Sequence, residues 1–461
     1  MQAKVQINDS NSFPQETLPF FHNVNSALLT SALAMPYSSK MPQKMNASSL
    51  NDLTISSLFK GLPIAAQGKT FNEFLESKPN LFTSDFQFPV AVIRQSALAN
   101  NLDRMKSYCA DKGVDFSPHV KTTMSPQIAQ MQVDRGAWAI TVANYYQANV
   151  FLDFGFKRIL IANEILDIPA IRQIAIENRD PNMQIIFYLE SQEGLRAIEA
   201  GLKDLGDARL YLFLEVGADG GRAGIRNLND VKSMAQSIKN DSRLSVLGVS
   251  GFEGIVPVKD RSSDGLADLR KFCEKVVAAG RIVSDELGIS EIILTAGGSA
   301  YFDIVIEEFS KYGSGSHIII RSGGYVVHDH GGYELTYPFA GAQEKERFLP
   351  AIELWARVIS RPEPNLGILN LGKRDIGNDV GEPIPVKRIK SGESKSEAFS
   401  GLVDHLNDQH GYLVLGLGQE VGVGDVIGMG ICHPCTTFDK WRLIPVVNDA
   451  YDVVDFVHTF F

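Results

Sequence analysis

Cysteine is scarce in this chain: Cys109, Cys273, Cys432 and Cys435 are the only four in 461 residues. Four thiols cannot frame a protein of this length with disulfides, which points to a reducing, cytoplasmic setting. Long apolar runs are also missing, and none approaches the roughly 18 residues that a membrane span requires. The first stretch, MQAKVQINDSNSFPQETLPFF, has no charged start followed by an apolar segment, so no secretory leader is expected. Excess positive charge is absent as well. The formal net charge of −10 argues against nucleic acid or an anionic membrane as the main partner, so any anionic ligand needs a local site. What remains is ordinary globular composition, 44% hydrophobic and 21% charged, at a length suited to one large domain plus a smaller one.

Residues 1–55 are rich in Ser, Asn and Gln without periodicity and are expected to form a poorly ordered extension, with one short helix near ASSLNDLTISSLFKG. FPVAVIR (88–94) reads as a strand, followed by a helix with Ser96 as its N-cap. Short apolar runs then recur: FSPHVK, WAITVAN, RILIANEI, QIIFYLE, RLYLFLEVG, LSVLGVSGFEG, EIILTAGGS and HIIIRSGGY. Helical stretches separate them. Runs that are apolar on both faces suit parallel strands covered by helices, and their number is that of a (β/α)8 barrel. An open doubly wound sheet is the runner-up. Beyond residue 335 the texture turns strand-like, with Gly and Pro punctuation. The expected architecture is an α/β barrel over 85–335 and an all-β domain over 336–461, to which 56–84 could contribute.

In such a barrel, functional groups come from the C-terminal ends of the strands. FSPHVKTTMSP ends the first of them, and strand alternation would send His119 and Lys121 to one face. An isolated strand-end lysine is ordinarily a solvated charge. Beside His119, Thr122 and Thr123 at a barrel mouth, a desolvated nucleophilic amine competes with that reading. TAGGSAY and RSGGYVVHDH end the last two strands. There Gly297, Gly298, Gly323 and Gly324 would leave backbone N–H groups open to an anion, with Ser299, Ser322 and Tyr325 as hydroxyl donors. A phosphate-bearing carbonyl cofactor that condenses with lysine is pyridoxal 5′-phosphate, PLP. Arg222 could reach that cofactor's ring hydroxyl or phosphate, or could pair structurally with Asp219. In the β-domain, CHPCTTFDKW sets His433 and Cys435 two apart, on one face if extended. Imidazole and thiolate suit zinc, yet by spacing alone a metal-free pair is the commoner outcome, and a further group such as His410 would have to complete the shell.

Together PHVKTTMSPQIAQMQVDRGAWAITVAN, ILIANEI, EVGADGGRAGIR, TAGGS, IIIRSGGYVVHDHGGY, LNLGKRDIGNDVGEP and GDVIGMGICHPCTTFDKW resemble the D-serine dehydratase and D-threonine aldolase family, over roughly residues 85–455. The resemblance implies the alanine racemase-like fold, PLP fold type III, with Lys121 as the PLP lysine and the glycine turns as phosphate binders. It also implies a metal on His433 and Cys435, with Zn2+ favoured over Mn2+ because aldolases of this family carry aspartate at the second position. His119 would orient Lys121 or the cofactor. The activity implied is dehydration of a β-hydroxy D-amino acid, such as D-serine or D-threonine, to a 2-oxo acid and ammonia. Retro-aldol cleavage, racemisation and non-catalytic PLP binding are the rivals. A homodimer is implied, with one subunit's metal pair serving the other's Lys121.

Overall fold

The computed structural model describes residues 45–343 and 346–461, so the first 44 residues of the expected extension lie outside the described residues. From there the chain forms one compact unit with two sheets. The short helix expected near residue 47 is a 3-10 turn, Ala47–Asp52.

The first strand, β1 (Val90–Arg94), does not belong to the barrel. The barrel strands follow: β2 (Asp115–Phe116), β3 (Ile140–Val142), β4 (Arg158–Glu164), β5 (Gln184–Leu189), β6 (Leu210–Val216), β7 (Leu244–Gly251), β8 (Ile292–Ala296) and β9 (Ser316–Ile320). Each overlaps one of the eight apolar runs, β2 through Phe116 alone. They form a parallel sheet in the order β2-β9-β8-β7-β6-β5-β4-β3. The ring closes between its two ends through a parallel bridge from His119 to Thr141 and the bond from Trp138 N–H to the Phe116 carbonyl. Strand cores such as Ile159, Ile185, Leu212, Val249 and Leu294 are fully enclosed, as expected for strands covered by helices.

The second sheet holds β10 (Ile352–Glu363), β11 (Leu366–Leu369), β12 (Ile384–Ile389), β13 (Glu397–Ala398), β14 (Leu402–Leu406), β15 (Gly411–Val414), β16 (Val426–Gly430), β17 (Leu443–Val447) and β18 (Val453–His458). Strand β1 lies between β10, antiparallel, and β17, parallel. Val90–Arg94, within the 85–335 span placed by sequence in the barrel, is thus part of the β-domain sheet. The helix after it, Gln95–Lys112, begins one residue before Ser96, whose hydroxyl donates to Asp449 at 2.8 Å instead of capping. The segment before β1 packs on the same sheet: Phe71 and Phe74 meet Phe456 in one apolar cluster.

A buried ion pair network fixes β1 to this sheet. Glu353 accepts from Lys387 at 2.7 Å, from the Tyr451 hydroxyl at 2.8 Å and from Arg94 at 3.3 Å. Burial works to raise the Glu353 carboxyl, but Lys387 and Arg94 outweigh it and hold it below its ordinary value. The folded value is depressed, so its stabilisation is present above the unfolded glutamate value and is lost as pH falls through the folded one. Glu353→Ala should cost about 2 kcal/mol near neutrality by leaving the half-buried Lys387 without its carboxylate, while Arg94 keeps Asp449. Urea unfolding at about pH 7 and about pH 4 should show that gap shrinking on acidification; a gap independent of pH would count against the assignment.

Candidate active site

Strand β2 stops at Phe116, and the chain then turns into a 3-10 helix, Val120–Thr122. Alternation along a strand therefore does not place His119 and Lys121, as the sequence had suggested. The Ser117 hydroxyl, 2.7 Å from that of Thr141, ties the extended link to β3. Both side chains nonetheless line one cavity of about 140 Å3 at the C-terminal ends of the barrel strands, with Asn163, Tyr188, Glu215, Arg222, Phe252, Gly297 and Arg321. The Lys121 side chain is exposed within it. Burial of its surroundings pulls the amine below the ordinary lysine value, Cys435 acting against this and Arg222 with it. Burial, Lys121 and Arg321 together push the His119 imidazole well below its usual value, so it is neutral, with Nδ1 3.2 Å from the Thr141 carbonyl oxygen.

The two glycine turns meet beside this cavity. A Cβ on Gly323 would lie 2.5 Å from the His119 carbonyl oxygen, and one on Gly324 would lie 2.8 Å from the Tyr333 ring. Only glycine lets the backbone pass here. Gly324 N–H donates to Ser299 Oγ at 3.1 Å, and the Tyr333 hydroxyl also reaches Ser299. Ser322 donates to the Gly298 carbonyl at 2.7 Å. Two sequence expectations need correction. Gly298 N–H is not open: it donates to the buried Glu253 carboxylate at 2.5 Å. Tyr325 is not a donor at the turn either. The 3-10 helix Gly324–Val326 directs it into the core, where its hydroxyl accepts from Gln132 at 2.9 Å and its ring packs on Phe116. Tyr333 takes the place expected of it.

Arg222 lies over the Phe252 ring at 5.1 Å, while Asp219 faces Lys275. The ion pair alternative for Arg222 is not formed. Glu164, Glu190 and Glu215 bring carboxylate oxygens within 4.8 Å of one another. Burial and Glu215 push the Glu164 carboxyl up to about 9, so one proton is retained in this group at neutral pH.

The pair expected to hold a metal, His433 and Cys435, is not extended. Cys435 opens a short helical turn, Cys435–Phe438, with Pro434 before it. His433 Nδ1 is 2.7 Å from Asp379, which also accepts from Thr436 at 2.6 Å. The His433 and Cys435 side chains are hydrogen-bonded to each other, and Cys435 Sγ lies 3.3 Å from Thr122 Oγ1. Cys435 and Asp379 raise the imidazole to about 9 against the effect of burial. Cys432 faces elsewhere, 3.2 Å from the Glu382 carbonyl oxygen. His410 sits exposed in the turn between β14 and β15, and Asp379 is the group that reaches His433.

Residues 93–305 match the family model described as the alanine racemase N-terminal domain, and 351–447 that of a putative serine dehydratase domain. Through these two models together, the chain is similar to the D-serine dehydratase and D-threonine aldolase family. Among curated relatives, D-threonine aldolase of Arthrobacter sp is 24% identical over 78% of this chain and 89% of its own length. D-threo-3-hydroxyaspartate dehydratase of Delftia sp. (strain HT23) is 30% identical over 30% of this chain and 35% of its own. The solved D-threonine aldolase of Filomicrobium marinum superposes with a TM-score of 0.69 at 21% identity, covering 82% of this chain and 96% of that one. Solved D-threo-3-hydroxyaspartate dehydratase variants replace a histidine and a cysteine spaced two apart, the cysteine variant being in a metal-free form. The fold is the alanine racemase-like one, and no helix among the described residues is long and apolar enough to cross a membrane.

Within this family frame, the chain's own residues can be tested against the implied groups. Buried polar groups line the cavity beside a lysine with a depressed value: Tyr188, whose hydroxyl meets Ser250, and Glu215, whose carboxyl meets Glu164. A polar aromatic ring with a carbonyl and a phosphate fits that lining. For a metal, the Nδ1 bond to Asp379 leaves His433 Nε2 on the side of the Cys435 sulfur, the carboxylate–imidazole arrangement that orients metal-binding histidines. An N,S donor pair fits zinc chemistry. Sequence reasoning missed Arg321, Tyr188, Tyr333, Glu215 and Asp379. Arg321 did leave a signal, a lone guanidinium ending the apolar run HIII. It is buried, donating to Thr295 at 2.6 Å and to the Gly251 carbonyl at 2.7 Å.

Proposed function

We propose that this chain is a PLP- and metal-dependent lyase that dehydrates a β-hydroxy D-amino acid such as D-serine or D-threonine to a 2-oxo acid and ammonia. One observation carries the reading. Lys121 and the His433–Cys435 pair meet at a single barrel mouth within one chain, joined by the Thr122–Cys435 contact. The family's implied exchange of metal pairs between subunits is not needed for this.

PLP, when bound, supplies the electron sink that makes the Cα proton removable. Lys121 would carry it, with Tyr333 and Ser299, whose Oγ the Gly324 N–H holds, at the phosphate and His119, Arg222 and Arg321 around the ring. The metal would be held by His433 and Cys435 and would supply Lewis acidity toward the β-hydroxyl. The remaining work belongs to the chain. The Lys121 amine, with its charge disfavoured by burial, takes the Cα proton as general base. Neutral His119 sits beside it without competing for protons at neutral pH. Asp379 engages Nδ1 of His433, so Nε2 is the nitrogen that would meet the metal once its proton is lost.

Retro-aldol cleavage of D-threonine is the second reading, supported by similarity to aldolases over most of both chains. Cysteine at position 435 favours dehydration, since a His and Cys at that spacing are the residues altered in the dehydratase variants. Purified protein should convert D-serine to 2-oxo acid and ammonia, lose that activity on chelation and regain it with zinc. Glycine and acetaldehyde from D-threonine would move the reading to aldolase.

A further inference from the structure

Glu253 is a fully buried carboxyl in the 3-10 turn Glu253–Ile255 that follows β7. No role assigned so far requires it. One oxygen accepts from Gly298 N–H at 2.5 Å, Gly297 N–H also bonds the carboxyl, and the other oxygen is buried without a partner. These are amides of the turn that leads into Ser299, whose hydroxyl, with Gly324 N–H and the Tyr333 hydroxyl, forms the neighbouring donor set. Backbone N–H groups in such a turn are an anion seat, and the Glu253 carboxyl already occupies the Gly298 amide. Two anions cannot share one nest of donors without mutual repulsion, which is strong where water is excluded.

We propose that Glu253 sets this chain's affinity for the cofactor's phosphate: its carboxylate holds the Gly297–Gly298 amides, so the phosphate binds against a built-in anion and relies on Ser299, Gly324 and Tyr333. This deepens the PLP reading above and rests on it. The charges around Glu253 leave the effect in place. Arg321, the cation that acts on it, already donates to Thr295 and Gly251. The other titratable neighbours, Cys273 on the helix Ala267–Leu287, Tyr301 and Tyr333, add no positive charge. Burial raises the Glu253 carboxyl, and the Gly298 amide and Arg321 oppose this, so raising the pH of the measurement favours the ionised form.

Glu253→Gln keeps the size and the acceptor for Gly298 N–H while removing the charge. Equilibrium binding of PLP and of pyridoxal, which lacks the phosphate, to the apoprotein at about pH 8 separates the roles. The variant should bind PLP about tenfold tighter, with pyridoxal affinity unchanged. A purely structural glutamate would move both ligands together. Equal or weaker PLP binding by a folded variant, or an equal gain for pyridoxal, would overturn the proposal. Should Glu253→Gln fail to fold, Glu253→Ser must give the same sign. A wild-type chain that binds neither ligand would overturn the cofactor reading itself and this proposal with it, an outcome distinct from binding that the variant leaves unchanged.

Discussion

Lys121→Ala is expected to abolish turnover of β-hydroxy D-amino acids, by about 10^4-fold or more, because base and cofactor attachment are lost together. The fold should survive. Lys121 is solvent-exposed in the cavity and takes part in no ion pair among the described residues, so its removal should change stability by no more than about 0.5 kcal/mol. Borohydride reduction followed by intact-mass measurement gives the second readout. Wild-type protein should gain the mass of one reduced cofactor at Lys121, and the variant should gain none. The variant should still bind PLP reversibly, because the donors at Ser299, Gly324 and Tyr333 are untouched. Measurable turnover by Lys121→Ala would remove this lysine from the chemistry.

The second large effect concerns the metal pair. Cys435→Ala should bring metal content close to zero and dehydration down with it, while PLP binding stays near wild type. Asp379→Ala should act through His433 alone: the imidazole loses the group that fixes its orientation, and metal affinity should fall by about 10- to 100-fold. The comparison matters because Asp379 touches Thr436 and His433 but is not itself proposed as a ligand. Added zinc should restore Asp379→Ala and fail to restore Cys435→Ala. Cys435→Asp should keep a metal but shift preference toward harder, oxygen-favouring ions. Full activity of Cys435→Ala after exhaustive chelation would exclude a role for the metal pair.

The barrel was legible because its strands are buried on both faces and so appear as continuous apolar runs, and all eight were found this way. The misplaced strand Val90–Arg94 carries the same signature. Nothing in VAVIR says whether its partner lies 20 or 260 residues away, and the sheet it joins is settled by pairing with Trp355 and Val446. Lys121, Arg222, His433 and Cys435 stood out as reactive groups in odd settings. Their surroundings did not, since Tyr188, Glu215, Glu253 and Asp379 act through contacts between segments far apart in the chain. Tyr325 failed for a local reason. Two glycines allow a tight helical turn there, and that turn sends the next side chain inward.

The pairing of Val90–Arg94 bears on how the protein is made. Its neighbours in the sheet are β10 and β17, so one edge of β1 stays bare until about residue 363 has left the ribosome, and the other until about residue 447. Synthesis at about 5–20 residues per second leaves an apolar strand uncovered for many seconds. Among the described residues, the first strand to emerge is thus among the last to be completed.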